Sequence, residues 1–146
     1  MQGQLRLDRD DLPGALDAFR RAVRAAPFEL EARHQLATTL RLLRRDAEAA
    51  EAERENQRLK QDLNRLSAVT KELIGQPGNV AKRYEAGILC LRLGHEHRGV
   101  QWLLSALLLD SDHEPTRQAL LDNLPKLGDP ALAERYRRLL EARPKK

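Results

Sequence analysis

From Asp46 to Ile74 the chain reads DAEAAEAERENQRLKQDLNRLSAVTKELI, without one glycine or proline. Good helix formers dominate the stretch, and nothing in it would stop a helix once begun. At 1.5 Å of rise per residue it spans roughly 43 Å, more than twice the length of an ordinary globular helix of about 11–12 residues. Any fold for this chain must find partners for a rod of that length.

The rest of the composition points the same way. Hydrophobic residues are 41% of the 146 and aromatics only 3%, so a core here is built from Leu, Ala and Val. No run of β-branched or aromatic residues alternates as a half-buried strand does. The fold class is therefore all-α, and the length is that of one domain, 1–146. A net charge of +4 raises nucleic acid as a partner, but 22 acidic residues are interleaved with 26 basic ones. Interleaved charge is the pattern of a solvated surface, whereas a nucleic-acid footprint gathers its charge on one face. The N-terminus MQGQLRLDRDD lacks the charged-then-apolar order of a signal peptide. The apolar run WLLSALLL, at 102–109, falls short of the ~18 residues of a membrane span. No membrane partner is expected, and the chain reads as cytoplasmic if Met1 is its natural start.

Taken in order, the chain repeats itself. In DLPGALDAFRRAVRAAP, Pro13 suits a first helical turn and Pro27 closes the segment. Leu16, Phe19, Ala22, Val23 and Ala26 form one stripe on a helix from about Pro13 to Ala25. Ala15, Phe19, Ala22 and Pro27 are separated by four, three and five residues, the spacing of the second helix of a tetratricopeptide repeat. The chain resembles that family, whose unit is a helix–turn–helix of 34 residues. Ala49 lies 34 residues beyond Ala15, and Gly128 lies 34 beyond Gly94. Gly87, Gly94, Ala106 and Asp110 match a third unit, and Leu120, Gly128, Asp129 and Ala133 a fourth.

The resemblance implies a tetratricopeptide-like solenoid of about three and a half units, at about 1–29, 30–79, 80–113 and 114–146. Small residues at Gly87, Ala106 and Ala133 would let helices approach closely, and Gly94 and Gly128 would end helices with positive φ. Two departures stand out. The first unit has only residues 1 to about 8 where a full helix belongs, so the chain reads as part of a longer array or as covered by another subunit. Between Ala37 and Gly87 the spacing is 50 residues instead of 34, and the extra 16 lengthen the second unit's helix, which GQPGN at 75–79 then stops.

In such arrays an extended peptide binds along the first helix of each pair. Carried over, the groove positions are His34, Thr38 and Arg41, then Tyr84, Ile88 and Leu91, then Gln118 and Asp122. The Lys and Asn pattern with which chaperone-binding members clamp a terminal carboxylate is absent from them. Within the long helix Leu59, Leu63, Leu66, Thr70 and Leu73 recur at four- and three-residue steps, a seam that packs on the third unit or pairs with a second copy. His95-Glu96-His97 reads as a turn, because two histidines without further ligands are at best a partial metal site. Cys90 sits in an apolar run and reads as core. With no phosphate loop, nucleophile elbow or HExxH pair, neither an enzyme nor a cofactor is expected. The expected function is a protein-interaction scaffold for a peptide or partner helix; an oligomerisation module using the Leu seam is the alternative.

Overall fold

The computed structural model describes residues 11–142. The expected shortfall of helix over residues 1 to about 8 lies outside them. The described residues form seven α-helices and one short 3₁₀ turn, with no strand among them. The helices are α1 (Leu12–Ala25), α2 (Leu30–Leu42), α3 (Asp46–Gly75), α4 (Val80–Arg92), α5 (Glu96–Leu109), α6 (Glu114–Asn123) and α7 (Pro130–Glu141). The chain divides into two compact units, Met1–Gln61 and Asp62–Lys146, and the division falls inside α3.

The helix ends follow from local chemistry. The Asp11 carboxylate accepts from the Gly14 N–H at 2.9 Å and starts α1, with a proline in its first turn. Asn79 caps α4 through Lys82 N–H at 3.0 Å, and Asp129 caps α7 through Leu132 N–H at 3.0 Å. Each supplies an acceptor for a donor that a helix start leaves orphaned. Pro125 has no N–H to give an α-helical bond. The backbone accordingly leaves α6 at Asn123, tightens into a 3₁₀ turn over Leu124–Leu127, and ends on Gly128 at φ 69°.

The connections repeat bond for bond. Asn79 N–H to Gln76 O, Arg83 N–H to Asn79 O, Gly94 N–H to Leu91 O and His95 N–H to Cys90 O recur one unit earlier as Glu29 to Ala26, Arg33 to Glu29, Arg44 to Arg41 and Arg45 to Leu40. The first two recur again one unit later, as His113 to Asp110 and Arg117 to His113. Side chains join in: Arg33 Nε donates to the Pro27 carbonyl at 2.5 Å and Arg83 Nε to the Pro77 carbonyl at 2.8 Å. The same helix–turn–helix joint is thus built more than once.

In the first unit Leu16, Leu40 and Ala49 form the core, with Leu36, Leu43 and Ala52 packed against it. Ion pairs from Arg20 to Glu48 at 3.2 Å and from Arg33 to Glu55 at 2.8 Å tie α1 and α2 to the start of α3. In the second unit Val69 and Leu73 of α3 pack with Ala86 and Leu89 of α4, under Leu66 and Trp102. A larger cluster gathers around Leu103, Leu107, Leu120, Leu124 and Leu140. The Arg65 guanidinium holds Glu85 with two bonds, at 2.5 and 2.7 Å, and this hydrogen bonding pushes its own pKa up. Lys82 meets Glu72 at 3.0 Å and pulls that carboxyl below its ordinary value.

Two glycines set the crossing of α4 and α5. A Cβ at Gly87 would stand 2.7 Å from Leu103 Cγ, and one at Gly99 would stand 2.7 Å from Leu91 Cγ and 3.0 Å from the Gly87 carbonyl. The close approach expected at Gly87 is therefore made against a second glycine that the repeat reading did not single out.

Candidate functional site

The positions expected to line a groove fall into different environments. On α2, His34 and Arg41 are exposed and Thr38 is half-buried; Arg41 is engaged by Glu53 across to α3. His34 lines a polar cavity of about 510 Å³ with Glu53, Arg54, Asn56, Gln57 and Lys60. In the second unit Tyr84, Ile88 and Leu91 are half-buried against the larger apolar cluster. The Tyr84 ring meets His113 edge-on, with centroids 5.5 Å apart, and Leu91 is occupied at the Gly99 crossing. Gln118 and Asp122 are exposed and bond to each other at 2.8 Å, an i,i+4 pair on α6. Within the second unit the structure brings Tyr84, Ile88 and Leu91 onto one apolar cluster, sets Tyr84 against His113, and pairs Gln118 with Asp122.

The seam of α3 is largely used inside the chain. Leu59 and Leu73 are buried, Leu63 is half-buried, and Leu66 packs on the Val69 cluster. Thr70 spends its hydroxyl on the Leu66 carbonyl at 2.9 Å. Cys90 is fully buried, and burial pushes its thiol pKa up, away from a reactive thiolate. Among the described residues no three His, Cys, Asp or Glu side chains gather as metal ligands, and no helix is long and apolar enough to cross a membrane.

The most distinctive surface feature lies elsewhere, in a cavity of about 420 Å³ formed by α5, α6 and α7. Its walls are Leu104, Leu107 and Leu108 on one side and Tyr136, Leu139 and Leu140 on the other, with Ser111 and Arg117 at its polar edge. Arg117 Nη2 donates to the Leu140 carbonyl at 2.8 Å, which answers one of the open acceptors at the end of α7. Leu108 is 86% exposed and Leu139 60%, so the apolar wall continues out to the rim. The volume falls within the ~300–1,000 Å³ of small-ligand pockets, and the make-up, apolar walls with a few polar groups, is theirs too.

The repeat pattern does not mark this site, because it scores only the positions that pack helix on helix. A signal is present all the same. In WLLSALLL the stripe Leu103, Ala106 and Leu107 already fills the buried face, with Leu104 half-buried beside it, which leaves the exposed Leu108 and Leu109 without a packing reason. On α7, helical spacing puts Leu139 beside the apolar stripe of Leu132, Tyr136 and Leu140, yet it stands mostly in solvent. No protein-family model matches the chain, and no curated protein matches it in sequence.

Proposed function

We propose that this chain is a protein-interaction scaffold, a tetratricopeptide-like solenoid of about three and a half helix–turn–helix units that binds a peptide or partner helix on preformed helix faces. The solenoid reading is supported by the joint that recurs at 50- and then 34-residue spacing. The observation that carries the binding reading is the apolar cavity between α5, α6 and α7 with its exposed leucine rim. Preformed walls spare a ligand the cost of ordering the surface it meets. The burial of Leu59 and Leu73 weighs against the long helix as a dimer seam. The arginines of α1, α2 and α3 that pair with carboxylates, Arg20, Arg33, Arg54 and Arg65 among them, weigh against a phosphate-binding face.

The test is selection from a random 12-residue peptide library against the folded chain. Peptides that bind saturably should shift the methyl resonances of Leu104, Leu108 and Leu139, and the double substitution L108S/L139S should weaken them about tenfold or more. A library that yields no saturable binder, or binders indifferent to that substitution, overturns the reading.

A further inference from the structure

We infer that Arg83 of α4 and Arg98 of α5, beside Trp102, form a site for one acidic side chain of a partner protein, a glutamate or aspartate carboxylate. The site shares no residue with the apolar cavity and does not depend on it.

The first unit holds the occupied form of the same place. The joint bonds set a 50-residue register through Glu29 and Asn79, Arg33 and Arg83, and Arg45 and His95. The helices that follow keep it, α3 starting at Asp46 and α5 at Glu96. Arg33 donates through Nε to the Pro27 carbonyl at 2.5 Å and through Nη1 to the Glu55 carboxylate at 2.8 Å. Arg83 repeats the first contact, its Nε and Nη2 reaching the Pro77 carbonyl at 2.8 and 2.6 Å. The second has no counterpart, because the residue in the place of Glu55 is Ser105, whose hydroxyl donates to the Trp102 carbonyl at 2.7 Å. One and two turns before Glu55 on the same helix face stand Glu51 and Glu48, and their places are taken by Gln101 and Arg98. Three acids thus give way to two neutral groups and a cation. Glu72 and Glu85 are held by Lys82 and Arg65, and neither Arg83 nor Arg98 pairs with a carboxylate among the described residues.

Geometry and charge select the occupant. Arg83, Arg98, Gln101, Trp102 and Ser105 line an open depression of about 250 Å³, room for one side chain. The Arg83 guanidinium carbon lies 5.9 Å from the centre of the indole ring. Ring and Pro77 carbonyl together hold the cation in place before a carboxylate arrives, so little side-chain freedom is lost on pairing. A planar carboxylate matches the guanidinium edge that Glu55 uses in the first unit. Two cations fall short of the stripe that follows a nucleic-acid backbone.

The chain's single tryptophan is the reporter. The whole chain is titrated at low salt with N-acetyl-tetraglutamate amide, its tetraglutamine counterpart and a short oligothymidylate. The variants are Ser105→Glu, which restores the acid the first unit carries, Arg98→Gln at an exposed position, and the control Ser67→Glu. The control makes the same change of net charge at an exposed residue that does not line the depression. The glutamate peptide should change the indole emission saturably, bind about tenfold tighter than the glutamine peptide, and weaken as salt is raised. It should lose about tenfold in Ser105→Glu, about threefold in Arg98→Gln, and less than about twofold in Ser67→Glu. Equal binding of the two peptides, no saturation, full affinity in Arg98→Gln, or a loss in Ser105→Glu no larger than in Ser67→Glu would overturn the inference. So would an oligothymidylate that binds tighter than the glutamate peptide and is lost in Ser105→Glu, which gives the site to nucleic acid, or a dimer in sedimentation that Ser105→Glu dissolves, which gives it to a second copy.

Discussion

Arg44 carries the backbone from α2 to α3 at φ 58°, and Gly94, its counterpart in the next joint, makes the same turn at φ 73°. For a residue with a Cβ the left-handed region costs roughly 1–2 kcal/mol, part of which glycine would return through its greater freedom in the unfolded chain. Arg44→Gly should therefore raise stability by about 0.5–1 kcal/mol, read as an upward shift of the urea midpoint with an unchanged slope. A lower midpoint would mean that the arginine side chain contributes more than its backbone costs. The turns at Gly94 and Gly128 were legible in the sequence because a glycine before a helix start has few other uses. The one at Arg44 was not, since arginine carries no sign of positive φ, and only the joint's recurrence exposes it. Gly99 was missed for a related reason: the repeat pattern asks for a small residue at one side of the crossing, and this crossing is made by two.

At the scale of elements, α3 shows what periodicity can and cannot place. Its extent, Asp46–Gly75, follows from the missing Gly and Pro, and its end from Gly75 and Pro77. The face it buries drifts. A heptad seam through Leu59, Leu66 and Thr70 assumes 3.5 residues per turn, whereas a straight helix advances 3.6 and rotates by ~20° per heptad. By the last turns Val69 is fully buried and Thr70 only half-buried, while Ile74, next to the buried Leu73, is 83% exposed. These two neighbours define a sharp test. Leu73→Ala should cost about 2–4 kcal/mol, because it empties a site walled by Val69, Ala86 and Leu89. Ile74→Ala should stay within about 0.5 kcal/mol, and the sedimentation mass should be the same for both variants and the unsubstituted chain. Comparable losses at both positions, or a change in mass, would assign the seam to a partner instead. The apolar cavity was less legible than α3 for a physical reason: its walls include core residues such as Leu107 and Leu140, and the exposed Leu108 and Leu139 at its rim show as a surplus only when the buried face is known.

Over the whole molecule, the two compact units hold cores of unequal size. Among the described residues the first closes over Leu16, Leu40 and Ala49. The second has nine buried residues in its larger cluster, around Leu103, Leu120 and Leu124, and a further cluster at Val69. Each buried leucine contributes about 1.5–3 kcal/mol, so the units need not open together, and a single two-state description would average over them. Amide exchange in mild denaturant should resolve this. The amides of Ala37–Leu40 should exchange through an opening at least about 2 kcal/mol cheaper than that of the amides around Leu103 and Leu120. The helical amides of α3 should divide between the two behaviours near Gln61. The division at that residue is the informative part, because an unbroken helix would by itself open as one element, and only separate cores on its two halves would split it. One common opening energy along α3 would show that the long helix welds the chain into a single cooperative body, and the two cores would then count as one.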